Sequence, residues 1–252
     1  MLDKKKKYLQ IALNSTLKDA RDIISKIPLD QRIIIEAGTP LIKSYGASGI
    51  KAIGEAWQKK VVGTVPVPMQ LSPPAMAIIK AIGKKQAAKK GIPLTPYIVA
   101  DLKCMDRGLT EVMIAKQGGA SAATALGHAP IETLNAFVEK CQELELDSMI
   151  DMMNVDYPLS ILRELKQLPK VVILHRGVDE EDFNKEKQIP YHEIQRIKSS
   201  YDIMLAVAGG DSIQEVQRAI FNDVDIVVLW RAFYKGSGDT VKLVQEFLKE
   251  VR

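Results

Sequence analysis

Eight short apolar runs, separated for the most part by amphipathic stretches of helical length, limit the fold of this chain more strongly than any other feature. The runs are Tyr8 to Leu13, Arg32 to Glu36, Tyr97 to Asp101, Ser121 to Leu126, Ser148 to Met152, Val171 to Leu174, Ile203 to Val207 and Asp225 to Leu229. Each is close to continuous in Val, Ile, Leu and Ala, the pattern of a strand buried on both faces. Parallel strands need crossovers of a dozen or more residues, and the intervening helical stretches supply them. Eight strand and helix alternations predict an α/β fold, a closed (β/α)8 barrel of the TIM type, over a doubly wound open sheet. A length of 252 residues suits one such barrel, so residues 1–252 read as a single domain.

Helix punctuation agrees with this reading. Thr16 is placed to cap a helix from Leu17 to Ser25, Pro130 suits the first turn before Ile131 to Leu144, and Asp211 or Ser212 can cap Ile213 to Phe221. Between Asp239 and Val251, apolar residues recur at helical spacing among lysines and glutamates, as in a closing amphipathic helix.

One stretch breaks the rhythm. The helix after the second strand is predicted to end near Lys59 and the third strand to begin near Tyr97, leaving roughly 37 residues where barrels use two to six. Prolines at 66, 68, 73 and 74 favour extended chain, and Ala75 to Lys90 reads as a helix. This is an insertion at about 60–96. From Ala56 to Ala100 the chain carries seven lysines and no acid, so the formal net charge of +4 belongs to this segment. Nucleic acid, an anionic membrane surface or an acidic partner would suit such a charge, but a solvated helix or dimerisation arm is the favoured reading.

Two cysteines, Cys104 and Cys141, are too few and too far apart for a disulfide framework or a clustered zinc site. The apolar run near Met1 is too short for a signal core, and no stretch approaches the roughly 20 apolar residues of a membrane span. A cytoplasmic location is the expectation.

Barrel active sites lie where the strands end. The strands here deliver Asn14, Glu36, Asp101 with Lys103 and Asp106, Gly127 with His128, Asp151 with Asn154, His175 with Arg176, Gly209 with Gly210, and Trp230 with Arg231. Asp101-x-Lys103-x-x-Asp106 is the sharpest element. Two carboxylates hold a lysine cationic, and Glu36 beside Asp101 calls for a cation, of which Mg2+ is the natural hard-oxygen choice. The competing reading pairs Lys103 with Asp106 on the rim and leaves Asp101 to cap a loop. His175 closes an apolar run, where it can titrate near neutrality. Gly209 and Gly210 before a helix suit close approach of an anion, and Arg231 adds a charge-assisted contact.

Five segments in order along the chain carry a resemblance: Ile35 to Lys43 (IEAGTPLIK), Ala100 to Gly108 (ADLKCMDRG), Met149 to Val155 (MIDMMNV), Leu174 to Gly177 (LHRG) and Ala206 to Gly210 (AVAGG). Together they resemble the orotidine monophosphate decarboxylase superfamily in its 3-hexulose-6-phosphate synthase branch, with the nearest likeness to the synthase domain that archaea often carry fused to a formaldehyde-activating domain. The resemblance implies a lyase performing a reversible, Mg2+-dependent aldol condensation of formaldehyde with ribulose 5-phosphate through an enediolate. It implies Glu36 and Asp101 as metal ligands, Lys103 as an electrostatic aid, and His175 as the proton-transfer group. Gly209, Gly210 and Arg231 would hold phosphate, while Asn14, Gly127 and Trp230 complete the candidate substrate contacts. It further implies a homodimer with shared sites, Asp106 reaching into the neighbour's. The sequence departs from the pattern twice: Asn14 stands where an aspartate is usual, and Leu229-Trp230-Arg231 replaces Val-Gly-Arg. A decarboxylase of a phosphorylated keto acid and a barrel that has lost catalysis, with a basic binding insertion, are the alternatives.

Overall fold

The structure, a computed structural model, describes residues 1–62, 81, 85, 96–210, 212–234 and 240–250. Its strands are β1 (Tyr8–Leu13), β2 (Ile33–Ala37), β3 (Tyr97–Cys104), β4 (Ala122–Leu126), β5 (Asp147–Asp151), β6 (Val171–His175), β7 (Met204–Ala208) and β8 (Ile226–Leu229). Each pairs in parallel with the next, and β1 pairs with β8, so the sheet closes into the expected barrel. The helices described are α1 (Leu17–Lys26), α2 (Thr39–Val62), α3 (Gly108–Gln117), α4 (Ile131–Glu143), α5 (Pro158–Glu164), α6 (Val178–Phe183), α7 (His192–Ser200), α8 (Ile213–Phe221), α9 (Arg231–Tyr234) and α10 (Thr240–Glu250).

Strand alternation sorts the core into two shells. Tyr8, Ala12, Ile34, Val99, Ala122, Met149, Met204, Ile226 and Val228 fill the barrel interior as one cluster. Their neighbours Leu9, Ile11, Leu13, Ile33, Ile35, Ala123 and Val227 belong to a second cluster that includes helix residues such as Ile24, Trp57 and Phe137. Burial on both faces is what makes each strand read as an unbroken apolar run. The amino-terminal end of the barrel is closed by buried Asp147, which accepts from the Leu2 N–H (2.8 Å) and the Tyr97 hydroxyl (2.6 Å).

The caps agree with the sequence. Thr16 Oγ1 accepts the Asp19 N–H (3.2 Å) and Asp19 Oδ2 accepts the Thr16 N–H (3.3 Å). Ser212 and Glu215 repeat this reciprocal arrangement at α8; Asp211, the other candidate, lies outside the described residues. The ends of seven strands differ from expectation by at most one residue, but β3 runs on to Cys104. Helix α2 continues past Lys59 to Val62. Most of the expected insertion at about 60–96, including its helix from Ala75 to Lys90, lies outside the described residues. Among those described, no helix is long and apolar enough to cross a membrane.

Candidate active site

At the carboxyl ends of the strands the interior-facing positions change from apolar to polar and enclose a cavity of about 570 Å3. That volume suits a small-molecule ligand. Its floor takes Gln10 from β1, Glu36 from β2, Asp101 and Lys103 from β3, Thr124 from β4, Asp151 from β5 and His175 from β6.

A chain of charges crosses this floor. Lys103 Nζ donates to Asp151 Oδ2 (2.7 Å) and to Asp101 Oδ1 (3.2 Å), and His175 Nδ1 shares Asp151 Oδ2 at 2.8 Å. Local backbone makes this possible. Between Ala100 and Cys104, four residues of β3 span what two occupy on β4, and Lys103 takes a left-handed φ of 49° there. The bulge is held by Thr124 Oγ1, which accepts the Lys103 N–H (3.0 Å) and donates to Asp101 Oδ1 (2.8 Å). Thr39 Oγ1 donates to Asp101 Oδ2 (2.7 Å), so both carboxylate oxygens are fixed.

Burial and charge act against each other here. Burial works to lower the Lys103 pKa, but Asp101 and Asp151 outweigh it and hold the ammonium above its ordinary value. Burial opposes ionisation of Asp151, yet His175 and Lys103 bring its carboxyl below the usual range. Burial also favours neutral His175, while Asp151 raises its pKa above 6.5. An aspartate that orients imidazole through Nδ1 leaves Nε2 as the group for proton transfer.

Glu36 differs from its neighbours. Burial first, and the Asp101 charge second, push its carboxyl up to about 7. Gln10 Nε2 donates to Glu36 Oε2, while Gln10 Oε1 is buried without a hydrogen-bond partner among the described residues. Two adjacent buried carboxylates and an unpaired amide oxygen form a hard-oxygen donor set that fits a divalent cation. Among the described residues no group of three or more His, Cys, Asp or Glu is arranged to hold a metal. A two-carboxylate set suits Mg2+, which keeps several waters or substrate oxygens.

The β6–β8 side is built differently. Gly209 has φ +100°, and a Cβ there would lie 2.2 Å from the Arg176 carbonyl oxygen. Arg176 in turn donates to the Gly209 carbonyl (3.0 Å). Gly209→Ala is therefore expected to cost about 2 kcal/mol or more, a drop in thermal midpoint of roughly 4 to 8 °C; an unchanged midpoint in a melting experiment would contradict this account of the turn. Trp230 lines the cavity and packs against the interior cluster, with Tyr234 6.2 Å away and the Arg231 guanidinium 5.4 Å above its ring. The indole is thus part of the cavity wall. Asn14 also lines the cavity, and its backbone N–H donates to Tyr234 Oη (3.1 Å).

Of the residues named from the sequence, Glu36, Asp101, Lys103, His175, Asn14, Gly209 and Trp230 line one cavity. Four other candidates stand away from its wall. Gly127 is backbone packing, its N–H donating to the Asp151 carbonyl (2.8 Å). Gly210 sits tight against Glu215. Arg231 is turned to Asp182, which holds it through two contacts of 3.0 Å. Asp106 is exposed on the rim, accepting the Arg107 N–H (2.7 Å), and the rim pairing of Lys103 with Asp106 gives way to the Asp101 and Asp151 pairs. Gln10, Thr39 and Thr124 were not singled out as site residues from the sequence. Gln10 and Thr124 carried a signal: a polar residue at an interior-facing position of a doubly buried strand has to find a polar partner.

A closed parallel barrel that gathers two carboxylates, a lysine and a carboxylate-held histidine at its strand ends has the architecture of a barrel enzyme. Residues 7–247 match the Orotidine 5'-phosphate decarboxylase / HUMPS family, and the chain belongs to that family. It is 32% identical over 245 residues to the bifunctional enzyme Fae/Hps of Methanocaldococcus jannaschii, a match covering 97% of this chain and 52% of the relative. The chain thus spans about half the length of that relative. Among solved structures, a 3-hexulose-6-phosphate synthase superposes with a TM-score of 0.72 at 23% identity, covering 97% of this chain and 100% of the other. A 3-keto-L-gulonate-6-phosphate decarboxylase from Vibrio cholerae superposes with a TM-score of 0.65 at 18% identity, covering 98% and 97%.

Proposed function

We propose that the chain is a 3-hexulose-6-phosphate synthase-like aldolase, condensing formaldehyde with ribulose 5-phosphate in a reversible lyase reaction. The observation that carries this reading is the Asp101–Lys103–Asp151–His175 chain lying beside Glu36 on one cavity floor. Glu36 and Asp101 are the residues that would hold Mg2+, which when bound supplies Lewis-acid stabilisation of negative charge developing on the substrate. Lys103, kept cationic by two carboxylates, adds fixed positive charge on the same side. Neutral His175 removes a proton from C1 of ribulose 5-phosphate. The resulting enediolate carbon attacks formaldehyde, and the proton passes to the new alkoxide oxygen, so no other reactant is consumed. Gly209 and Arg231 are assigned to the phosphate.

Formaldehyde consumption with ribulose 5-phosphate and Mg2+ is the direct test. Carbon dioxide release from a phosphorylated keto acid, without formaldehyde uptake, would transfer the site to the decarboxylase alternative.

The shared-site homodimer belongs to the same proposal. Leu109 and Met113, one turn apart on α3, are 52% and 47% exposed, and Met105 beside Asp106 is 45% exposed. This apolar face next to the exposed Asp106 is suited to a second copy of the chain, with Asp106 directed toward the partner's cavity. Leu109→Lys with Met113→Lys is expected to yield a folded monomer of low activity in sedimentation velocity and assay. A variant that still dimerises would remove this face from the interface.

A further inference from the structure

The cavity mouth carries a charge pattern opposed to a phosphorylated substrate. Asp179, Glu180 and Glu181 of α6 line it, and the nearby guanidiniums are already engaged. Arg231 Nη1 and Nη2 contact the two Asp182 carboxylate oxygens at 3.0 Å each, with Glu181 at 3.5 Å and the Val178 carbonyl at 3.4 Å. Arg176 contacts Glu181 at 3.3 Å and keeps a buried Nε without a hydrogen-bond partner among the described residues. A phosphate dianion entering beside Gly209 would face three carboxylates and two occupied cations.

The helix that brings these acids has little else to hold it. None of the six residues of α6 is buried, and Phe183 is 88% exposed. Its side chains reach the rest of the protein through ion pairs, Asp182 and Glu181 to Arg231, Glu181 to Arg176, and Glu180 to Lys187. An element without buried apolar contacts lies at the low-stability end of a structure. Partly exposed ion pairs contribute little individually.

We propose that Asp182, with Glu181, is an internal substitute for the substrate's phosphate on Arg231, and that phosphate binding displaces it and releases α6 from the mouth. The proposal rests on the assignment of the phosphate to Gly209 and Arg231. A carboxylate held in fork geometry by guanidinium occupies the donors that bind phosphate bidentately, and the dianion, with more charge and more acceptor oxygens, is the stronger partner. When α6 leaves, its acids leave the cavity wall, and Arg176, Arg231 and Lys187 change the mouth from acidic to basic. Phosphorylated substrates thereby open their own site, and unphosphorylated sugars, which cannot compete for Arg231, leave the acidic wall in place. Asp182 is a positioning residue that sets substrate affinity.

Calorimetric titration of inorganic phosphate and of ribulose 5-phosphate tests this on the wild-type chain, Asp182→Asn and Arg231→Ala. Asp182→Asn is expected to bind both ligands roughly two- to fivefold more tightly, the range of a partly exposed ion pair, with KM for ribulose 5-phosphate falling by the same factor. Hydrogen exchange over 178–184 is expected to accelerate when phosphate is added. Phosphate affinity equal to or weaker than wild type in Asp182→Asn, or slower exchange over 178–184 with phosphate, overturns the displacement while leaving the phosphate assignment intact. Unchanged affinity in Arg231→Ala instead overturns the phosphate assignment itself.

Discussion

Asp101→Asn is expected to reduce formaldehyde consumption with ribulose 5-phosphate on the order of a thousandfold, the loss that follows when about 4 kcal/mol of transition-state stabilisation is removed. The change keeps shape and removes charge. Asp101 is anchored at both oxygens, accepting from Thr39 Oγ1, Thr124 Oγ1 and Lys103 Nζ. Asparagine presents one oxygen where three donors converge on two, and it leaves Glu36 as the sole carboxylate for a cation. Because the Asp101 charge helps hold the Glu36 carboxyl near 7, its removal also favours ionised Glu36. A weakened cation site, and not a protonated Glu36, would then account for the loss. Two measurements separate the contributions: steady-state turnover, and Mn2+ binding followed by electron paramagnetic resonance. Near-wild-type turnover in the variant would remove the carboxylate pair from the mechanism, and wild-type Mn2+ affinity would remove it from cation binding.

The second large effect is expected at Asp151, whose side chain is 2% exposed and bonded to both Lys103 and His175. Asp151→Asn leaves the partly buried Lys103 and His175 without their shared carboxylate, an imbalance that costs about 3 to 5 kcal/mol when a buried pair is broken. The pH dependence of that loss has a definite sign. His175, with its pKa raised above 6.5, contributes stability that is complete below 6.5 and fades as pH rises through its folded value. Asp151, with its pKa lowered below 3.8, contributes stability that is complete above 3.8 and fades as pH falls through its folded value. The difference in thermal midpoint between wild type and variant should therefore be greatest between pH 3.8 and 6.5 and shrink on either side.

Asp151→Asn also has a spectroscopic signature. Burial and the Lys103 charge both oppose protonation of His175, and without Asp151 they act almost unchecked. The imidazole titration followed by nuclear magnetic resonance should move from above 6.5 in the wild type to below it in the variant. The acid limb of the aldol rate should move with it, because neutral His175 is the form that takes the C1 proton. An imidazole that titrates at the same pH in both proteins would show that the pair does not act as described.

The barrel was legible because its strands are buried on both faces, which writes each as an apolar run with little periodicity to misread. Seven strands accordingly end within a residue of expectation, and the exception is informative. Strand β3 is extended by a bulge that depends on Thr124, a residue 21 positions beyond Lys103. Nothing local to Ala-Asp-Leu-Lys-Cys announces that hydrogen bond. The polarity of Thr124 inside Ala-Ala-Thr-Ala-Leu and of Gln10 inside Leu-Gln-Ile-Ala-Leu shows that each needs a partner, but only closure of the barrel turns both toward a common floor. Caps, by contrast, are settled within four residues of chain, and Thr16 and Ser212 behave as their local sequence dictates.

The chemical inventory of this protein, three carboxylates, a lysine and a histidine at strand ends together with a glycine pair and an arginine, is legible in the sequence, because the apolar runs mark where each strand ends and which polar residues follow. Which members of that inventory touch was decided only by the tertiary structure. Lys103 finds Asp151 across 48 residues of chain, and Arg231 is claimed by Asp182 across 49. Coulomb attraction between such groups depends on distance in space and on burial, and both arise when the barrel closes and the loops settle upon it.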